Sequence, residues 1–183
     1  MLESAGVPFS VSLPAVDEDV LRNLLSDSGK DAFGIAGELA EAKALSVSRH
    51  MSQALVLGAD QVLFCDGVLY SKALTADEAH QTLRALSGRK HRLISAAVIA
   101  RDSTVLWRTT DVSVLSMRDL TSQFVESYLA AELPEILGSV GCYRIEARGA
   151  QLFEQVSGDY FSIRGLPLIP LLAALRGFGV IPA

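Results

Sequence analysis

The fold is interpreted outward from one stretch of the sequence, Val56-Leu57-Gly58-Ala59-Asp60-Gln61-Val62-Leu63-Phe64. Apolar residues flank its Gly-Ala-Asp-Gln core, which is typical of a strand buried on both faces. An ionised carboxylate in such a strand is costly without a cation, hydrogen-bond donors or water. Asp60 is therefore either paired for structural reasons or functional. Gln61 presents its amide to the opposite face of the strand, and the small residues Gly58 and Ala59 allow another group to approach the backbone closely.

Composition limits the class of protein. The chain has 183 residues, of which 50% are hydrophobic and 20% charged, as expected for one globular domain. A net charge of −5 argues against a general affinity for nucleic acid. Because the sequence has no apolar run of membrane-spanning length and no signal segment, we expect a cytoplasmic protein that does not bind membranes. Two cysteines, Cys65 and Cys142, favour neither a zinc site nor a disulfide framework.

Periodicity predicts mixed helices and strands, and hence an α/β or α+β class built around a mixed sheet. Met1–Gly6 has the pattern of a helix end, and the acidic turn Val16–Asp19 that of a helix start. The run Arg89-Lys90-His91-Arg92 is interpreted as a loop, either solvated or close to an anionic ligand. Helices are predicted over 33–50, 75–86, 120–133 and 167–175, and strands over 56–64, 69–71, 93–100, 104–115, 140–146 and 150–156.

Six polar residues interrupt apolar surroundings and are candidates for a site. Carboxylates can hold a divalent metal and deprotonate water, and lysines offset phosphate charge, so this set suits a polyphosphate. The sequence has no Walker phosphate loop, no Gly-x-Gly-x-x-Gly motif and no serine nucleophile elbow. Spacing alone does not bring the six together. They are Glu18, Lys43, Asp60, Gln61, Lys72 and Glu146.

An ordered set of motifs extends over nearly the whole chain. It consists of Gly58-Ala59-Asp60-Gln61, Lys72, Glu78-Ala79, Leu86-Ser87-Gly88-Arg89-Lys90-His91, Ser139-Val140-Gly141-Cys142-Tyr143, Ser157-Gly158-Asp159-Tyr160 and Gly165-Leu166-Pro167-Leu168. In order and in spacing, this set resembles the Maf family of nucleoside triphosphate pyrophosphatases.

The resemblance implies a single Maf-like domain over 1–183, with a fold like that of inosine triphosphate pyrophosphatases. In that fold an elongated mixed sheet is flanked by helices, and two lobes enclose a cleft. It also implies a house-cleaning hydrolase that uses Mg²⁺ or Mn²⁺ to cleave a modified or non-standard nucleoside triphosphate between its α and β phosphates. A homodimer is a further expectation.

The resemblance assigns roles to the six candidates. Asp60 matches the general base, and Asp60 and Glu18 are the expected metal ligands. Lys43 and Lys72 match phosphate-facing lysines. Gln61 and Glu146 match the positions that select the base.

The segment Tyr143-Arg144-Ile145-Glu146 resembles the branch acting on 7-methyl-GTP. A carboxylate there accepts hydrogen bonds from the guanine N1–H and amino group, and it suits a cationic methylated ring. A uracil or thymine edge pairs with it poorly.

Two departures from the family pattern leave an alternative open. The family starts with a strand and a Ser-x-Ser-Pro-Arg-Arg phosphate loop, and Met1 lies just after the expected place of that loop. The usual Lys-Pro is Lys72-Ala73 here. Without the arginines the chain would be a weak or inactive nucleotide-binding regulator, linked by family association to septum formation. A globular domain whose charged residues are all structural is the remaining alternative.

Overall fold

The computed structural model describes residues 1–182, which form an α/β fold. Its helices are α1 (Glu18–Asp27), α2 (Ala32–Ser48), α3 (Ala76–Leu86), α4 (Ser122–Glu132), α5 (Tyr160–Ile163) and α6 (Leu168–Gly177). Its strands are β1 (Val56–Cys65), β2 (Val68–Tyr70), β3 (Lys90–Arg101), β4 (Thr104–Met117) and β5 (Phe153–Ser157). Short 3₁₀ turns cover Glu3–Ala5, Glu135–Gly138 and Arg148–Leu152. None of the helices in this part of the chain is long and apolar enough to cross a membrane.

The five strands form one sheet in the order β2-β1-β3-β4-β5. The sheet is antiparallel, where a mixed sheet was expected. The short strand β2 pairs only with the end of β1, where Leu63 faces Tyr70 and Cys65 faces Val68. Within residues 1–182, the segment 56–62 of β1 therefore has β3 as its strand neighbour and an edge without a strand on its other side.

The chain divides into two compact units. The first, called the Asp60 unit here, contains residues 1–61, 95–111 and 159–182. The second, called the Glu146 unit, contains residues 62–94 and 112–158.

In the Asp60 unit, alternation along β1 directs successive residues to opposite faces. Gly58 faces α2, where a Cβ atom would lie 2.2 Å from the carbonyl oxygen of Ala40. Leu57 and Ala59 instead pack against the buried cluster that contains Leu171 of α6. The absence of a side chain at Gly58 thus allows α2 to lie directly on β1, while the other face of the strand covers the apolar core.

In the Glu146 unit, α3 packs against α4, and a buried aromatic cluster fills the interior. His91 is 1% exposed, and its Nε2 lies 2.8 Å from the hydroxyl of Tyr143. The rings of Tyr143 and Phe153 meet edge to face at 4.9 Å. The predicted loop around His91 is wrong, because β3 begins at Lys90 and strand alternation buries His91 while its two neighbours stay exposed.

The predicted strand over 140–146 is also wrong. Cys142 has φ 56°, a left-handed conformation that interrupts an extended chain. Ser139 Oγ donates to the Tyr143 carbonyl at 2.7 Å and closes a turn there. The strand expected over 150–156 begins only at Phe153, because a 3₁₀ turn occupies the residues before it. The remaining helices and strands lie close to their predicted positions.

Candidate active site

The centre of the candidate site is Lys43, which lies between two carboxylates. Its Nζ is 2.7 Å from Oδ1 of Asp60 and 2.9 Å from Oε2 of Glu18. The Asp60 side chain is 6% exposed, whereas that of Glu18 is 36% exposed. The structure therefore brings three of the six predicted residues into direct contact, with one carboxylate buried and the other reaching solvent.

Local structure explains how the three residues meet. Asp17 caps α1 by accepting from the backbone N–H of Val20 at 3.0 Å, which places Glu18 in the first turn. Helix α1 packs against α2, which carries Lys43. Because Gly58 allows α2 to approach β1 closely, Lys43 reaches the strand at Asp60.

The pKa values of Asp60 and Lys43 are both raised, but for different reasons. Burial raises the pKa of Asp60 above its usual value, and the hydrogen bond and charge of Lys43 offset this only in part. Burial acts to lower the pKa of Lys43, but the hydrogen bonds and charges of Asp60 and Glu18 raise it above its usual value. The second carboxylate oxygen, Oδ2 of Asp60, is buried and has no hydrogen-bond partner within residues 1–182. One oxygen of Asp60 is thus held by a cation, and the other is left for a further partner.

The donor set fits a divalent cation that arrives with phosphates. Mg²⁺ commonly uses one or two carboxylates and completes its shell with water and substrate oxygens. Asp60 Oδ2 and the partly exposed carboxylate of Glu18 supply such oxygens. No group of three or more His, Cys, Asp or Glu residues suited to a metal occurs in the described part of the chain, so a closed protein cage is not formed there.

Gln61 lies on the opposite face of β1, as the sequence predicted. Its Nε2 donates to Oγ of Ser95 at 2.8 Å and to the carbonyl oxygens of Ser162 and Ile163 at 3.0 and 3.1 Å. The amide nitrogen is therefore bound to β3 and to the carboxyl end of α5. Asp60 and Gln61, although consecutive, face different surroundings.

The remaining two candidates belong to the Glu146 unit. Lys72 is exposed after β2 and lines a pocket of about 300 Å³ together with Tyr70 and Glu78. Glu146 is exposed on the loop before β5. In that loop Arg144 donates to the buried carboxylate of Glu132 at 3.1 Å.

Sequence reasoning missed two residues that hold candidate residues in place, one in each unit. Ser95 is 1% exposed and holds Gln61, and Glu132 is 6% exposed and holds the loop of Glu146. Ser95 had a detectable signal, since it is the one hydroxyl within the apolar strand 93–100. Glu132 had none, because a carboxylate at the end of a helix is usually solvated.

Comparison with known proteins defines the class of this protein. The sequence matches the family model described as "Maf-like protein" over residues 1–178, and the chain belongs to this family.

Several relatives of known name are similar to this chain over most of their length. The chain is 43% identical over its whole length to a 7-methyl-GTP pyrophosphatase of Rhizobium meliloti (strain 1021), covering 92% of that protein. It is 46% identical over 99% of its length to a 7-methyl-GTP pyrophosphatase of Mesorhizobium japonicum, covering 91% of it. It is 42% identical over 96% of its length to a nucleoside triphosphate pyrophosphatase of Granulibacter bethesdensis, covering 89% of it.

Proposed function

We propose that this chain is a nucleoside triphosphate pyrophosphatase that hydrolyses 7-methyl-GTP to the monophosphate and pyrophosphate, with Asp60 as general base. Membership of the Maf family and the names of the relatives support the reaction class. Two of the relatives cited above carry the name 7-methyl-GTP pyrophosphatase, which supports the substrate.

The observation that carries the proposal is the asymmetry of the Asp60 carboxylate. Lys43 holds Oδ1 at 2.7 Å, whereas Oδ2 is buried without a partner in the described residues. A general base needs a fixed orientation and one free lone pair directed at a water molecule. Burial also raises the Asp60 pKa, which strengthens it as a proton acceptor.

The chemistry then assigns a task to each side chain. Oδ2 of Asp60 takes a proton from water as the water oxygen bonds to the α phosphorus. The bond between that phosphorus and the α–β bridging oxygen breaks, and pyrophosphate leaves with the electron pair. Lys43 keeps Asp60 oriented and offsets its charge, and Lys72 offers a second ammonium group to the phosphates.

A divalent cation is part of the proposal. Glu18 would hold it through its carboxylate, and Asp60 would hold it through a lone pair other than the one that accepts the proton from water. When bound, such an ion supplies charge that neutralises the phosphate oxygens.

The two remaining residues are proposed to select the base. The exposed carboxylate of Glu146 accepts from the amino group of guanine, and its charge suits the cationic ring of 7-methylguanine. Gln61 contacts the nucleotide from the face of β1 opposite to Asp60.

Pyrophosphate release tests the proposal. The wild-type protein is incubated with Mg²⁺ and, separately, with 7-methyl-GTP, GTP, UTP, dTTP and CTP. We expect kcat/KM to be highest for 7-methyl-GTP. A preference for UTP or dTTP would contradict the substrate, and no release from any nucleotide would contradict the enzymatic function. Nucleotide binding without release would identify the chain as a nucleotide-binding protein.

A further inference from the structure

The carboxamide of Gln61 is surrounded on its nitrogen side by hydrogen-bond acceptors. Nε2 lies 2.8 Å from Oγ of Ser95, 3.0 Å from the carbonyl oxygen of Ser162 and 3.1 Å from that of Ile163. The two carbonyl groups belong to the last residues of α5. The Ser162 carbonyl also accepts from the backbone N–H of Gly165 at 2.9 Å, so the amide of Gln61 is a further donor to it.

The serine hydroxyl also acts as an acceptor towards Gln61. Ser95 Oγ donates its single proton to the Ser162 carbonyl at 2.7 Å, so only its lone pairs remain for Nε2. Carbonyl oxygens accept and never donate. An amide turned the other way would place Oε1 against three acceptors. The nitrogen must therefore face this group, and Oε1 must face away from it.

The acceptor group is held in place by its own contacts. Ser95 and Ser162 are 1% and 2% exposed. Asp159 caps α5 by accepting from the backbone N–H of Ser162 at 2.9 Å. No protein donor to Oε1 of Gln61 is found within residues 1–182, and this oxygen is not among the buried atoms lacking a partner. Oε1 is thus open to solvent or to a ligand.

We propose that Ser95 and the last two carbonyl groups of α5 make Gln61 a hydrogen-bond acceptor only, so that it selects bases carrying a ring N–H. Guanine, 7-methylguanine, uracil and thymine present such a donor, whereas cytosine and adenine present a ring nitrogen that accepts. This inference rests on the proposed function, which places the base at Gln61. It adds the direction of the hydrogen bond, from the base to Gln61, and this direction defines the class of base that fits.

A change of one atom tests the orientation without any substrate. In Gln61→Glu the nitrogen becomes an oxygen, so an ionised carboxylate would face three acceptors. Protonation restores a donor, and the folded state therefore raises the pKa of this new carboxyl group. The stability of the variant relative to wild type must then rise as the pH falls. We expect the Tm difference from wild type to shrink by about 3 °C for each pH unit between about pH 8 and 5.

The control is Gln155→Glu, which makes the same change at an exposed position of β5. Its Tm difference from wild type should vary less with pH than that of Gln61→Glu. Equal pH dependence in the two variants would overturn the proposal. Should Gln61→Glu fail to fold even at low pH, hydrogen exchange of the Gln61 side-chain NH₂ in the wild-type protein decides. Slow exchange supports the bound nitrogen, and exchange as fast as that of the exposed Gln123 overturns it.

Base selection is tested with Gln61→Met. The methionine side chain has similar length, but it has no oxygen and its sulfur is only a weak acceptor. We expect the ratio of kcat/KM for 7-methyl-GTP to that for CTP to fall about tenfold, the equivalent of one hydrogen bond. An unchanged ratio would overturn the base-selecting role. If wild type releases pyrophosphate from no nucleotide, the proposed function fails, and the Tm comparison still decides the orientation of Gln61.

Discussion

The Nζ atom of Lys43 lies 2.7 Å from Oδ1 of Asp60, and the other oxygen of the same carboxylate has no partner among residues 1–182. A structural ion pair in a buried strand would be expected to satisfy both oxygens, because a buried lone pair without a donor is costly. The contact therefore explains how the charge is tolerated and also leaves Asp60 able to act.

Replacement of Asp60 by Asn tests the base. The change nearly preserves shape and removes the proton acceptor, so we expect turnover to fall by about 10²-fold or more while nucleotide binding persists. Pyrophosphate release and equilibrium binding are measured on the same preparation. Asp66→Asn, at an exposed carboxylate just after β1, is the control and should retain activity. Wild-type turnover in Asp60→Asn would exclude Asp60 as the base.

The fall of kcat/KM at low pH, the acid limb of the pH–rate profile, gives a second test of Asp60 as general base. Burial raises its pKa above 3.8, so kcat/KM should begin to fall, as the pH is lowered, at a higher pH than for an ordinary aspartate. Lys43 lowers that pKa in part. In Lys43→Met the limb should move to still higher pH, and a limb that stays in place would show that Asp60 does not control the rate.

Glu146→Gln tests the choice of base. The amide loses the negative charge that suits a methylated guanine, so the ratio of rates for 7-methyl-GTP and UTP should shift towards UTP. Glu154→Gln removes an exposed carboxylate on β5 and serves as the control. If the ratio is the same in both variants and wild type, Glu146 does not select the base.

Gly58→Ala tests the packing that places Lys43. The added Cβ would lie 2.2 Å from the Ala40 carbonyl oxygen and 2.6 Å from the Ala44 nitrogen, so α2 must move. We expect a loss of about 1–3 kcal/mol in the free energy of unfolding, measured in urea, together with lower turnover. Gly37→Ala introduces a Cβ into the same helix with no atom within 4 Å. It should stabilise by about 0.5–1 kcal/mol. A Gly58→Ala protein as stable as wild type would contradict the close approach.

His91 predicts a dependence of stability on pH. Burial lowers its pKa from 6.5 to about 4, so the folded protein keeps this ring neutral after the unfolded chain has bound a proton. The contribution is therefore complete above pH 6.5 and is lost as the pH falls towards about 4. It amounts to about 3 kcal/mol over that range.

The measurement is the free energy of unfolding at several pH values for wild type and His91→Gln. The variant should lose less stability than wild type between pH 6.5 and 4. His50→Gln removes an exposed imidazole and controls for the loss of a histidine as such. Parallel curves for wild type and His91→Gln would contradict the prediction.

Much of the fold followed from pattern. The apolar strand around Asp60 and the helix predicted over 75–86 lie where the sequence predicted, and Thr75 caps that helix by accepting from the backbone N–H of Glu78. The start of β3 was hidden because its charged residues suggested a solvated loop, although Lys90, His91 and Arg92 also alternate as a strand does. The turn at Cys142 carried no signal, since a cysteine with positive φ has no sequence signature.

The site was only partly predictable. Glu18, Lys43 and Asp60 could be named from their chemistry, but their contact depends on the packing of α1 on α2 and of α2 on β1. The hold on Gln61 depends on main-chain carbonyl groups of α5, and every residue type carries such a group. No reading of side chains along the sequence would reveal it.

Because Asp60 and Gln61 are consecutive in β1 and face opposite sides, the number of residues before them in the strand can change only by an even number if each is to keep its face. Deleting or inserting one residue between Ala54 and Asp60 would exchange the faces, bringing the amide to Lys43 and the carboxylate to the carbonyls of α5. A change of two residues would keep each group on its own face. Among length variants of this segment, even steps are therefore the ones that evolution or engineering can sample without reversing the polarity of both environments.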